Sequence, residues 1–214
     1  MIIKITLGSF ILILLMGFIF LNQKASFLIG GAFINIGYFF QDRIHNYNFN
    51  STESDDTTLD EILNGFQARN NLASNIRELF PRQPFHPLVA IVTCIDSRID
   101  TNDMLGDTRK FYFIIRNAGS IIEEKEEEML ELAVSKGVKL IVFTRHTNCA
   151  AESIKSNPIA RLDYPFISKS IEMHEANIRR FLNRPKIKSK ISEGKLSIRH
   201  AVMDTKTKRL ILFK

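Results

Sequence analysis

The order of apolar and polar residues divides the chain into three parts: an apolar amino end, a polar interval, and a long stretch where short apolar runs alternate with amphipathic ones. Ile5 to Leu21 is apolar or small throughout its 17 residues except at Thr6 and Ser9. Ala25 to Phe40 is a second such run, interrupted by Ser26 and Asn35. A helix crossing the hydrocarbon core needs about 20 residues, with roughly 17 as the lower limit. Residues 1–40 are therefore expected to form a hydrophobic membrane anchor, a short membrane hairpin or a signal segment, although no small-x-small cleavage site closes the first run. Lys4 and Lys24 flank that run and nearly cancel as orientation signals, which leaves the side of the membrane open. Residues 41–57 are rich in Asn, Ser and Asp without periodicity and read as a polar linker. A domain is expected over 58–214, within the usual single-domain range.

Within that domain, Ile62, Leu63, Phe66 and Leu72 lie on one side of a helix predicted over 60–72. Leu88–Thr93, Phe111–Ile115 and Val138–Thr144 are short, nearly continuous apolar runs rich in β-branched residues, the signature of strands covered on both faces. Glu123–Lys136 is a helix stopped by Gly137, Ser168–Leu182 is another, and Leu196–Met203 and Arg209–Phe213 are late strands. Strand, helix, strand with short connections predicts an α/β fold with a largely parallel central sheet flanked by helices. Ligands of such sheets bind at the carboxyl ends of the strands.

Charge changes this picture only in the last quarter. The formal net charge is +6, but residues 155–214 alone carry 15 basic and 5 acidic groups. A basic segment of this kind is usually a solvated face, and it can instead lie on an anionic lipid surface or bind a nucleic acid. No aromatic residue interleaves the lysines from Lys186 to Lys208, so no nucleic-acid partner is expected. The acidic run Glu123–Glu128 suits the first turns of a helix, where the dipole favours negative charge. With 2 cysteines the chain has no disulfide framework of the small secreted kind.

Those two cysteines carry the candidate chemistry. Cys94 follows the first strand, in Cys94-Ile95-Asp96-Ser97-Arg98, and Cys149 follows the third, in His146-Thr147-Asn148-Cys149. Both fall at the ligand-binding edge of a parallel sheet. His146 and Cys149 are close enough for one turn to aim them at the same point, and Cys94 can join from the neighbouring strand. Two thiolates and an imidazole make a zinc site, and three protein ligands leave the fourth tetrahedral position open, as in catalytic rather than structural zinc. A disulfide between the cysteines is the alternative; it leaves Asp96, Arg98 and His146 unexplained. His45, His86, His174 and His200 have no motif context.

Cys94–Arg98, then Arg116-Asn117-Ala118-Gly119, then His146–Cys149 together closely resemble the β-class carbonic anhydrases, in order and in spacing. The resemblance implies one Zn²⁺ per chain held by Cys94, His146 and Cys149, with Asp96 either paired to Arg98 or serving as the fourth zinc ligand. It implies Asp96 and Arg98 as catalytic residues, and Asn117, Ala118 and Gly119 as substrate contacts. The implied activity is a zinc lyase, carbonate dehydratase: reversible hydration of CO2 to bicarbonate and a proton by hydroxide held on zinc. The alternative is a membrane-tethered relative that binds zinc without catalysis or hydrolyses COS or CS2. Members of the family resembling this chain are dimers or larger, so a homodimer is expected. Two departures stand out. Where the family usually has glycine before the zinc-binding histidine, this chain has Arg145; if that place requires positive φ, arginine costs about 1 kcal/mol there, and it would bring positive charge near the metal. Where many members carry a bicarbonate-contacting glutamine, this chain has Phe85, with Gln83 two residues away.

Overall fold

The structure is a computed structural model that describes residues 8, 14, 17–18, 21–41, 59–79, 86–106, 108 and 111–213. The chain forms two compact units, Met1–Gln83 and Pro84–Lys214. In the first, helix α1 spans Gln23–Gln41 and α2 spans Leu59–Leu79. Asn22 starts α1 because its side-chain oxygen accepts from the N–H groups of Lys24 (3.1 Å) and Ala25 (3.2 Å), two donors that have no partner inside the helix. The predicted stripe of α2 is present, with Ile62, Leu63, Phe66 and Leu72 all exposed.

The described residues do not support the membrane expectation. Most of the 5–21 run, and the linker at 41–57 apart from Gln41, lie outside the described residues. The second run is helical, but no helix among the described residues is long and apolar enough to cross a membrane. Gln23, Lys24, Asn35 and the glycines at 30, 31 and 37 dilute α1 below what a span requires.

The second unit is built on a five-stranded sheet: β1 (Val89–Cys94), β2 (Tyr112–Asn117), β3 (Leu140–His146), β4 (Ser197–Met203) and β5 (Leu210–Phe213). Their spatial order is β2-β1-β3-β4-β5. The first four strands are mutually parallel, and β5 returns antiparallel along β4. The sheet is thus largely parallel, as expected, with one antiparallel edge.

Between the strands run α3 (Thr101–Leu105), α4 (Glu124–Ser135), α5 (Ala150–Ile154), α6 (Pro158–Asp163), α7 (Pro165–Leu182) and α8 (Pro185–Ser192). Side chains of α4, α7 and α8 (Leu130, Ala133, Ile178, Phe181, Ile187) close over Ala90, Val92, Ile141 and Phe143 to make the main core. Burying each of the larger of these side chains contributes roughly 1.5–3 kcal/mol.

A charged seam ties the same helices together. Glu127, fully buried in α4, accepts from Arg180 of α7 at 2.6 Å and lies 3.7 Å from Arg184. Glu123 and Glu126 form a reciprocal capping box at the start of α4. Part of the acidic run is therefore a fixed ion pair and a cap, not only a complement to the dipole. Away from this core, Cys94, Ile99, Cys149 and Met203 form a second, smaller buried cluster at the carboxyl ends of the strands.

Candidate metal centre

Cys94 is the last residue of β1 and His146 the last of β3, one and two residues further along than the apolar runs alone suggest. After His146 the chain turns through Asn148, whose φ of 56° is left-handed, a conformation Asn tolerates better than most residues. That turn returns Cys149 to the head of α5.

As a result, the two sulfurs and one imidazole nitrogen lie within 4.8 Å of one another, all three residues buried. The sulfurs are 3.9 Å apart and both cysteines are free, so the disulfide alternative does not hold. His146 Nδ1 lies 3.1 Å from the carbonyl oxygen of Thr147, which fixes the ring. Its Nε2 is buried without a hydrogen-bond partner. A buried imidazole nitrogen left unpaired beside two thiols is costly in an empty protein and satisfied by a metal ion, so the donor set fits zinc. Burial pushes the Cys149 thiol up, even though the N–H groups of Glu152 and Ala151 face its sulfur. A cation between the sulfurs would reverse that preference.

Asp96 stands apart from the three converging donors, because both of its oxygens are engaged by Arg98. The contact is two-pronged, Nε to Oδ1 at 2.9 Å and Nη2 to Oδ2 at 2.6 Å, and the Arg98 backbone N–H adds a third bond to Oδ1 at 2.9 Å. These hydrogen bonds from Arg98 hold the Asp96 carboxyl far below the usual carboxylate range. Arg98 also donates to the carbonyl oxygen of Asn148 at 2.9 Å, so one guanidinium joins the loop after β1 to the loop after β3. Arg98 is moreover the cation whose field reaches both cysteines.

Asn117 is the cross-strand partner of Cys94. Its carbonyl accepts from the Ile95 N–H at 3.1 Å and its side chain donates to the Ile121 carbonyl at 3.1 Å. Gly119 has φ 64°, and a Cβ there would press on Ile121 Cδ1 at 3.3 Å, so any other residue would be strained in this turn. Asn117, Ala118 and Ile121, with Phe166, line a cavity of about 180 Å³.

Arg145 corrects two expectations. It lies in β3 opposite Val202 and is not among the residues with positive φ, so arginine is unstrained there. Side chains alternate along a strand, so Arg145 shares the face of Ile141 and Phe143, opposite to His146. Its ion-pair partner is Glu152 at 3.6 Å. Phe85 and Gln83 lie outside the described residues.

Three groups around the site have roles that the motifs do not give. The Arg116 guanidinium donates to the carbonyl oxygens of Asp96 (3.0 Å) and Ile99 (2.9 Å), with longer contacts to those of Ile95 and Cys94 (both 3.4 Å). Lys208, in the β4–β5 turn, donates to the Arg98 carbonyl. Thr147 is tied to Thr205 through their hydroxyls at 2.9 Å. Arg116 stands in the Arg116–Gly119 motif, but that motif gives it no role; nothing in the sequence gives Lys208 or Thr205 a role either, because the β4–β5 turn brings them in from far along the chain.

A family model described as carbonic anhydrase matches residues 89–210, more than half of the chain. β-Carbonic anhydrase 1 of Mycobacterium tuberculosis is 36% identical over 64 residues, 28% of this chain and 38% of the relative. A carbon disulfide hydrolase of Saccharolobus solfataricus is 28% identical over 89 residues, 41% of this chain and 42% of the relative. The alignments thus span about two-fifths of these curated relatives. Among solved structures, a carbonic anhydrase of Streptococcus mutans superimposes with a TM-score of 0.52 at 24% identity, covering 70% of this chain and 97% of the other. A tetrameric β-carbonic anhydrase of Sordaria macrospora gives 0.54 at 19%, covering 71% and 95%. These structural likenesses show the shared fold over about 70% of this chain. With the family match spanning β1 to β5 and enclosing every residue of the metal centre, the chain belongs to the β-class carbonic anhydrase family, whose cofactor is zinc.

Proposed function

We propose that this protein is a carbonic anhydrase that interconverts CO2 and water with bicarbonate and a proton. The observation that carries the proposal is the buried Cys94, His146 and Cys149 set, with His146 Nε2 unpaired, beside a carboxylate clamped by Arg98. Cys94, His146 and Cys149 would hold the ion. When bound, zinc acts as a Lewis acid that brings the pKa of a water in its open position to about 7. The rest is the work of the chain. Arg98 keeps Asp96 ionised throughout the working pH range, so Asp96 acts only as a hydrogen-bond acceptor. In that state it orients the attacking hydroxyl by accepting its proton's hydrogen bond, leaving a lone pair for the carbon of CO2. Asn117, Ala118 and Gly119 shape the substrate side, within the catalytic stretch proposed over 58–214.

One observation favours a second substrate class, COS or CS2: the likeness to a carbon disulfide hydrolase. Stopped-flow CO2 hydration and sulfide release from CS2, measured on the same zinc-loaded chain, separate the two. The proposal predicts CO2 hydration well above buffer and sulfide release at background; the reverse would transfer the site to the second class.

The chain is also proposed to act as a homodimer. Ile159, Leu162 and Phe166 are 72%, 82% and 84% exposed, an apolar face that a second copy can cover. Sedimentation equilibrium showing a fully active monomer would contradict this. The 5–21 run supports attachment to a membrane, and release of the chain by alkaline carbonate extraction would remove that reading.

A further inference from the structure

A cavity of about 500 Å³ lies between α7 and the β3, β4 and β5 strands, on the face of the sheet opposite to His146. Its volume is within the range of small-molecule sites, and one too large to be explained by a single water. Arg145 and His174 both line its polar end. From His174 the lining runs along α7 through Ile178 to Leu182, about 12 Å further at 1.5 Å per residue. Phe213 of the edge strand closes the apolar side.

The polar end is built but unsatisfied. His174 is 7% exposed and its Nδ1 has no hydrogen-bond partner. Burial, and after it the Arg145 charge, lowers its pKa to about 4, so the ring is neutral and the positive charge at this end is that of the arginine. Among the described residues, the only ion-pair contact of Arg145 is Nε to Glu152 at 3.6 Å, beyond hydrogen-bond length, and its guanidinium donates no hydrogen bond to the protein. Glu175 and Arg179 also line the cavity, 3.8 Å apart and largely exposed, so their charges roughly cancel and the uncompensated cation at this end is Arg145. His200 completes this wall, stacked on Phe143 with ring centroids 5.7 Å apart. A guanidinium held only by one loose ion pair, a buried imidazole lacking a partner and a long apolar wall complement one kind of ligand.

We propose that this cavity binds a small organic anion, a carboxylate with an apolar body, its charge held by Arg145 and His174 and its body lying along Ile178 and Leu182 against Phe213. The site is separate from the metal centre, and the proposal does not depend on the activity assigned there. Octanoate is the probe, octanamide its uncharged counterpart, and the zinc-loaded full chain the protein. Titration calorimetry is expected to show saturable 1:1 binding of octanoate, weakened roughly tenfold for octanamide and for Arg145→Gln, the loss expected for a charge-assisted hydrogen bond. Amide shifts in the NMR spectrum should concentrate at 143–145, 174–182 and 213. Equal binding of octanamide, unchanged affinity in Arg145→Gln, no saturation in the millimolar range, or shifts confined to the 94–98 loop would each overturn it. In the last case the anion would be on the metal.

Discussion

His146 and Arg145 are chain neighbours at the end of β3, yet they serve opposite faces of the sheet. His146 is buried against two sulfurs, with a nitrogen reserved for a metal. Arg145 is half-exposed, weakly paired to Glu152, and borders a cavity roofed by α7. One step along a strand reverses the side chain. An arginine next to a metal ligand in sequence therefore need not bear on the metal in space. Here the cation that addresses the cysteines is Arg98, distant in sequence from Cys149 but linked to its loop through the Asn148 carbonyl.

Breaking the His146 side should give the largest effects. Cys149→Ser or His146→Ala should abolish zinc binding and lower CO2 hydration by on the order of 10³-fold or more, beyond the 10–100-fold typical of groups that only orient a ligand; zinc content and stopped-flow rates check both. Asp96→Asn or Arg98→Ala should retain the metal and lose roughly 10²-fold in kcat/KM, the scale of a positioned proton acceptor. Loss of zinc in Asp96→Asn would instead make Asp96 a ligand.

The other side should report through stability. His174 has its pKa lowered to about 4 in the folded chain, against 6.5 unfolded. Between those values the unfolded chain takes up a proton that the folded chain refuses. Stability is therefore expected to fall as pH drops from 6.5 towards 4, by up to about 3 kcal/mol, and the contribution is constant below that window. Urea unfolding across this range should show the slope in the native chain and a flatter one in His174→Gln. A slope identical in both would remove His174 as its source. Smallest, Arg116→Met should loosen the Cys94–Ile99 loop, with zinc released roughly tenfold faster at unchanged secondary structure. Unaltered zinc release would mean that the carbonyl clamp is dispensable.

Much of this architecture is legible in the order of residues, because buried parallel strands are apolar on both faces. Leu88–Thr93, Phe111–Ile115 and Val138–Thr144 each lie within one or two residues of an observed strand. The ends slip forward because Cys94, Asn117 and His146 are polar or reactive residues that still belong to the ladder. Short helices such as α3 and α5 were not legible, since five residues hold too little periodicity. α8 was masked by its lysines: Ile187 alone is fully buried on a helix whose remaining residues read as a solvated basic tail. The three metal donors were legible because each belongs to a compact motif. Their supports were not, since Arg116 and Lys208 act on carbonyl oxygens, which leave no trace in side-chain spacing.

The central claim is that two sulfurs and one imidazole, drawn from two strand ends, grip the same ion. Zinc K-edge absorption on the purified chain tests it without reference to turnover. The account predicts one zinc per chain with two sulfur neighbours at about 2.3 Å and light-atom neighbours, the His146 nitrogen among them, near about 2.0 Å. A first shell made only of nitrogen and oxygen, or a folded chain with free thiols that takes up no zinc, would contradict it.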